Sequence, residues 1–391
     1  MFRRPLVSQL VDRLSEQRRF IQIVAGARQT GKTTAVLQSL ESLKIPSRYI
    51  SADEPGLAHT EWLRNEWGQA RALAKSGEAI LIVDEIQKIG NWSSIVKLLW
   101  DEDTRLRIPL KVALTGSSTL LLQEGLTESL MGRFEILYSP HWGYVECKEA
   151  FGYSLDDFLF FGGYPGAAPL ISDENRWARY VGASIVEPTI AQDILMMEEV
   201  RKPALLRSLF MLGALYSAQE LSFTKMLGQL QDAGNTVTLA HYLDLLGKAN
   251  MLTGLQNYSG NQIRMRKSPP RFMVFDTSLM TYTGGAGRRQ FLDNPAARGR
   301  LVESAVGAYL LARGQEEGFE VNWWRERGNE VDFVIKQGVK LTAIEVKSGL
   351  VKNAGGSLIF KQRYPEAFSL VVGSTNLGLE DFLSGKQPLF L

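Results

Sequence analysis

Residues Phe20-Ile21-Gln22-Ile23-Val24-Ala25 run directly into Gly26-Ala27-Arg28-Gln29-Thr30-Gly31-Lys32-Thr33-Thr34, and a helical pattern continues through Leu43. An apolar strand, a loop with G-x-x-x-x-G-K-T spacing and a helix make the setting that a phosphate-binding P-loop requires. Gly26 and Gly31 let the backbone curl, so that its N–H groups point inward at phosphate oxygens. The helix N-terminus adds its partial positive charge. Lys32 is placed to reach the β- and γ-phosphates, and the Thr33 hydroxyl to ligate Mg²⁺. The expected ligand is ATP with Mg²⁺, held along Gly26, Ala27, Arg28, Gln29, Thr30, Gly31, Lys32, Thr33 and Thr34.

A second element belongs with the first. Ala79-Ile80-Leu81-Ile82-Val83 is a continuous apolar run, as expected for a strand buried on both faces of a parallel sheet. It ends in Asp84-Glu85. At that edge Asp84 is suited to hold Mg²⁺ through water, and Glu85 to polarise the attacking water. A third strand, Lys111 to Thr115, runs into Gly116-Ser117-Ser118.

The rest of the composition sets limits. The chain has 391 residues, with 44 Lys and Arg against 42 Asp and Glu, a net charge of +2. An apolar fraction of 45% and a charged fraction of 22% are those of a globular, multidomain chain and exclude disordered, collagen-like and rod-like classes. The longest apolar stretch, Phe158–Ile171, is broken by Gly162, Gly163, Pro165, Gly166 and Pro169, too short and interrupted to span a bilayer. Met1-Phe2-Arg3-Arg4-Pro5 opens no signal-peptide pattern. The single cysteine, Cys147, excludes an internal disulfide framework and a cysteine-based zinc site. The expected location is cytoplasmic, with no membrane partner.

Taken together, Gly26–Thr34, Ile80–Gln87, Leu114–Ser118, Met131–Arg133 and Gly162-Gly163-Tyr164-Pro165 resemble the prokaryotic AAA+ ATPases that carry a C-terminal DUF4143-type region. The resemblance implies a P-loop AAA+ parallel-sheet core over residues 1–140. Residues 141–200, with helical spacing in Asn175–Ile190, read as a small helical lid. The resemblance also implies assembly into a homo-oligomeric ring, with a hexamer as the first expectation. By position in that family, Ser117 orients the attacking water, with Thr115 and Ser118 as alternatives. Ser118 or Thr119 also suits a helix N-cap. Arg133, just before the last sheet strand, takes the place of an arginine finger directed at a neighbour's γ-phosphate.

Residues 201–290 carry 11 Lys and Arg against 4 Asp and Glu, a local net of +7. Helical patterns at Ala204–Ala218, Phe223–Leu230 and Thr238–Ala249 precede Met251–Leu255, a turn at Tyr258–Asn261 and Gln262–Lys267. Three helices followed by a hairpin is the layout of a winged helix. Arg264, Arg266 and Lys267 on the second wing strand are the candidate phosphate contacts to DNA. A winged helix used for protein packing is the alternative.

Over 291–391 the pattern reads helix, strand, strand, strand, helix, strand. It begins with a helix holding Glu303 and continues with strands at Phe319–Arg325, after Gly328, at Leu341–Lys347 and at Phe368–Val372. This order resembles the PD-(D/E)XK nuclease fold, although Val331 stands where the motif's proline would be. The resemblance makes Asp332, Glu345 and Glu303 candidate ligands of Mg²⁺ or Mn²⁺. Lys347 shares a strand face with Glu345 and would position water. The expected function is an ATP-hydrolysing protein acting on DNA as a metal-dependent nuclease or remodelling motor. The alternative is a signalling or branch-migration ATPase whose nuclease-like domain only binds nucleic acid or protein.

Overall fold

The computed structural model describes residues 2–53, 59–116, 129–195, 200–230, 234–259, 268–347 and 355–391. The chain divides into two compact units, Met1–Pro140 and His141–Leu391.

The first unit is built on a parallel sheet, five-stranded among the described residues. It comprises β1 (Ile21–Gly26), β2 (Ser47–Ser51), β3 (Ala79–Asp84), β4 (Leu110–Gly116) and β5 (Phe134–Ser139) in the order β2-β3-β4-β1-β5. β4 therefore lies between the strand that feeds the P-loop and the strand that ends in Asp84.

Every residue of β1, β3 and β4 is buried, because helices cover both sheet faces and the side-chain period of two divides each strand between them. Ile23, Leu81, Val83 and Leu114 pack with Leu63 and Trp67 of α3 (Thr60–Leu73) and with Val96, Leu99 and Trp100 of α4 (Trp92–Leu106). Val24, Ile80, Ile82 and Ala113 meet Leu6, Leu10 and Leu14 of α1 (Pro5–Ser15) and Val36 of α2 (Lys32–Ser42). At about 25 cal/mol per Å² of apolar area removed from water, this double burial dominates the stability of the unit. It also fixes the C-terminal ends of β1, β3 and β4 at one edge, where open parallel sheets place their ligand sites.

The second unit opens with the helices Tyr144–Phe151 and Leu155–Phe161. Gly162-Gly163-Tyr164-Pro165 has a packing role here. A Cβ on Gly163 would stand 2.1 Å from the Trp142 carbonyl oxygen, and the Gly163 N–H donates to Asp276 Oδ2 at 2.7 Å. The helix expected over Asn175–Ile190 is α-helical only from Glu174 to Tyr180 and then widens into π-turns at Val181–Val186 and Thr189–Ile194.

Three helices, Pro203–Leu215, Phe223–Leu227 and Thr236–Lys248, lead into an antiparallel pair, β6 (Leu252–Leu255) and β7 (Arg271–Val274). Among the described residues the partner of β6 is β7; the expected wing strand Gln262–Lys267 lies outside them. Arg271-Phe272-Met273-Val274 is a fully buried strand, which four residues after a Pro-Pro step did not announce. Arg264, Arg266 and Lys267 lie outside the described residues.

The C-terminal sheet has the order β11-β10-β9-β8, from β8 (Glu320–Glu326), β9 (Asn329–Gln337), β10 (Lys340–Val346) and β11 (Phe368–Val372). β8, β9 and β10 are antiparallel neighbours, and β11 adds parallel to β10. The helix Pro295–Glu317 precedes the sheet, and Gly355–Arg363 connects its last two strands. Among the described residues no helix is long and apolar enough to cross a membrane.

Candidate functional site

At the C-terminal edge of the first sheet, the loop after β1 turns through Gln29 at φ 60° and Gly31 at φ 86°, both left-handed. Gly31 meets that demand without a Cβ penalty. Gly26 is needed for a different reason, since a Cβ there would stand 2.1 Å from the Ser139 carbonyl oxygen. The loop is braced from behind. Thr30 Oγ1 donates to the Ala27 carbonyl at 3.0 Å and shares a hydrogen bond with Ser139 Oγ at 3.1 Å. Buried Arg4 donates to the Thr30 carbonyl at 3.1 Å. Lys32, also buried, lays its Nζ across the loop and donates to the carbonyls of Gly26 at 3.1 Å and Ala27 at 2.7 Å. Arg28 and Gln29 are half-buried, and Thr34 is exposed on the first turn of α2.

Asp84 is the point where the elements converge. Its Oδ2 accepts from the Thr33 hydroxyl at 2.8 Å and from the Tyr49 hydroxyl at 2.7 Å, and its Oδ1 accepts from Thr115. Tyr49 comes from β2 and Thr115 from β4, so one carboxylate ties three strands to the P-loop helix. Burial, with the Asp84 carboxylate second, raises the Tyr49 hydroxyl well above its ordinary pKa. Glu85 follows in a left-handed conformation, φ 53°, which turns its side chain out of the strand register. Gln87 Nε2 donates to its Oε2, and the Glu85 N–H reaches Thr115 Oγ1 at 3.4 Å. Ser117 lies outside the described residues. Its rival Thr115 is buried between Asp84 and the Glu85 backbone.

The donor set suits Mg²⁺. Thr33 hydroxyl and Asp84 carboxylate are hard oxygen donors already in contact beside Lys32. Arg133 sits apart, with Nε and Nη2 on the two carboxylate oxygens of Asp101 at 2.7 and 3.0 Å. That bidentate bond raises the guanidinium's pKa further.

The second centre gathers the residues singled out near the C-terminus, in a different arrangement from the one expected. Asp332 Oδ2 accepts the Val346 N–H at 2.7 Å, and Oδ1 lies 3.6 Å from Arg271 Nη1. Glu345 Oε1 accepts from the Ser357 N–H at 2.7 Å and from its hydroxyl at 2.5 Å, and Oε2 pairs with Lys347 Nζ at 3.0 Å. Arg271 also pairs with Glu330. Among the described residues no three His, Cys, Asp or Glu side chains are grouped to hold a metal ion. Asp332 and Glu345 as they stand do not fit a resident Mg²⁺ or Mn²⁺, because their oxygens are engaged by cations and N–H groups of the chain itself, and Glu303 stands buried near the Asp332 carboxylate.

Burial, and then the Asp332 carboxylate, push Glu303 up to about 7; Arg271, Lys347 and Arg300 hold it from rising further. The folded protein therefore keeps a proton that the unfolded chain releases above its ordinary pKa near 4.5. More protons bound in the native state means stability falls as pH rises between about 4.5 and 7. Glu303→Gln should remove this loss. In urea melts its stability is expected to exceed wild type by roughly 1–3 kcal/mol at pH 8, at 1.36 kcal/mol per pKa unit, and to match it near pH 4.5. Equal pH profiles would refute the assignment.

Three family models match successive parts of the chain. Residues 18–146 match the AAA domain family AAA_14, residues 152–290 match a domain of unknown function, DUF8612, and residues 298–381 match DUF4143. The chain's first third is thus an AAA domain and its C-terminal segment a DUF4143 region, with the DUF8612 segment between them. A curated relative, an uncharacterized protein of Methanocaldococcus jannaschii, is 25% identical over 336 residues, 81% of this chain and 72% of the relative. Among solved structures, the Walker-type ATPase of Pyrococcus abyssi aligns with a TM-score of 0.49 at 15% identity, over 72% of this chain and 95% of that one. The Aeropyrum pernix ORC1 protein in complex with DNA aligns at 0.31 and 12% identity, over 78% and 93%. Gly162–Pro165, part of the resemblance noted above, falls within the DUF8612 match.

Reasoning from the AAA motifs missed Tyr49, Gln87 and Asp101. Tyr49 sits mid-strand in a half-exposed β2 with no motif around it. Gln87 was quoted as part of Ile80–Gln87 but given no role. Asp101 is one acid in the charged stretch Asp101-Glu102-Asp103 of α4. Arg271 was missed at the second centre because its partners lie about 60 residues away in sequence.

Proposed function

We propose that this AAA protein binds and hydrolyses ATP and uses the cycle to act on DNA, with its C-terminal sheet binding rather than cutting. The observation that carries hydrolysis is the convergence of Thr33, Thr115 and Tyr49 on Asp84 beside Lys32. Phosphate oxygens would take over the Lys32 ammonium from the Gly26 and Ala27 carbonyls, and N–H groups from Ala27 to Thr34 would line the phosphates. Thr33 and Asp84 would hold Mg²⁺, which neutralises charge on the β- and γ-phosphates. Glu85 orients the attacking water and takes its proton, and Gln87 holds Glu85 between turnovers. Ser117 orients the same water from the end of β4. Arg133, on leaving Asp101, serves a neighbouring subunit's γ-phosphate in a ring, a hexamer in the first instance. These roles suit a cytoplasmic protein.

For DNA the support is the +7 charge of residues 201–290 and their three helices followed by a hairpin. We read 141–200 as a lid, 201–290 as a winged helix and 291–391 as a nuclease-like domain. The binding reading of the last domain rests on its engaged carboxylates. The test is fluorescence anisotropy of a labelled duplex titrated with the full chain over a range of salt. Affinity should fall with salt at about −0.9 log units per phosphate contact. Neutralising Arg264, Arg266 and Lys267 together should flatten the slope by roughly 2–3. No binding at low salt would remove the DNA reading and favour a protein-binding switch.

A further inference from the structure

We infer that the acidic centre of the C-terminal sheet is closed to divalent metal by a cation of the chain's own, the Arg271 guanidinium. This reading concerns a site apart from the P-loop and does not depend on ATP hydrolysis or on DNA binding.

Arg271 is only 4% exposed, so its charge needs acceptors inside the fold. It has them in Glu330 and Asp332, two apart on β9 and therefore on one face of the strand. Its guanidinium also lies over the Trp323 ring, 4.9 Å from the centroid, and its Nη1 reaches the Asp332 carbonyl at 3.4 Å. The backbone gives it little room to retreat. Arg271 pairs with Leu255 of β6 on one side and bridges to Glu220 on the other. Arg325 closes the outer side, holding Glu330 with Nε at 3.0 Å and Glu220 with Nη1 at 2.5 Å.

The other oxygens of Asp332 and Glu345 are engaged as well. The Val346 N–H takes Asp332 Oδ2, and Ser357 and Lys347 take the two oxygens of Glu345. A dication brought to Asp332 would meet a fixed positive charge in a poorly solvated place, and it would have to displace both an N–H donor and a guanidinium. Hard cations bind where several oxygens are free to turn to them, and here the chain has already supplied the counter-charge. The strand order and the positions of Asp332, Glu345 and Lys347 are compatible with a metal-dependent site; Arg271 is what changes its chemistry.

The experiment is Mn²⁺ titration of the nucleotide-free full chain, with free Mn²⁺ read by electron paramagnetic resonance. Wild type and Asp332→Asn should give the same binding curve. The double variant Arg271→Gln with Glu330→Gln removes the guanidinium and one carboxylate together, so the local charge stays balanced. It should bind Mn²⁺ at least tenfold more tightly than wild type and lose that gain when Asp332→Asn is added. Wild-type binding that Asp332→Asn abolishes would overturn the inference. So would a folded double variant that gains nothing. If the double variant does not fold, the comparison of wild type with Asp332→Asn decides alone: coincident curves support the closed site, and a loss refutes it.

Discussion

Replacing Glu85 by glutamine should lower ATP turnover about 10²–10⁴-fold, the range for losing a positioned general base, while leaving nucleotide binding intact. The substitution keeps size and the hydrogen bond with Gln87, so the fold has no reason to change. Lys32→Ala should behave differently. Its ammonium spans the loop to the Gly26 and Ala27 carbonyls, the position from which it would reach phosphates, so binding and turnover should fall together. Equilibrium binding of a fluorescent ATP analogue, measured beside phosphate release, separates the two. If Glu85→Gln turns over at the wild-type rate, Glu85 is not the base, whatever the integrity of the P-loop.

The largest effect on stability is expected at the other centre. Arg271→Met leaves Glu330 and Asp332 facing each other without their buried cation. Breaking a buried pair from one side costs about 3–5 kcal/mol. Arg325→Met provides the comparison, because Arg325 pairs with Glu330 too but its side chain is 45% exposed, where ion pairs contribute about 0–1 kcal/mol. Thermal melts of both variants at pH 8 should show a clear drop for Arg271→Met and a small one for Arg325→Met. Equal drops would mean that Arg271 is not the structural cation of the sheet.

Much of the candidate nucleotide site could be read from local sequence, because the P-loop pattern is local. A P-loop needs its strand, its glycines and its lysine within fifteen residues, and a strand buried on both faces ends visibly at Asp84-Glu85. The C-terminal strands were also readable, since β9 and β10 alternate or run apolar over whole strand lengths. What stayed hidden depends on tertiary pairing. β7 is four residues long, and its burial is decided by β6 and the helix Pro295–Glu317, neither adjacent in sequence. Arg271 counted as one more positive charge in a +7 segment, when in the fold it faces inward and serves the acids Glu330 and Asp332 of β9. The pattern Asp332, Glu345, Lys347 fits a metal site by spacing alone. Whether its oxygens are free is settled by Ser357, Val346 and Arg271, which spacing does not report. Tyr49 is a comparable case, since a tyrosine midway along an edge strand gains meaning only when the sheet sets it against Asp84.

The central claim is that ATP hydrolysis at Lys32, Asp84 and Glu85 is coupled to DNA. Phosphate release by the full chain, with Mg²⁺ present and with duplex, single-stranded or branched DNA added, tests it most directly. The expected result is turnover without DNA that rises several-fold with at least one of the three substrates and stays at background in Glu85→Gln throughout. A wild-type rate that no DNA alters would contradict the coupling, and a wild-type rate no higher than Glu85→Gln would contradict hydrolysis itself.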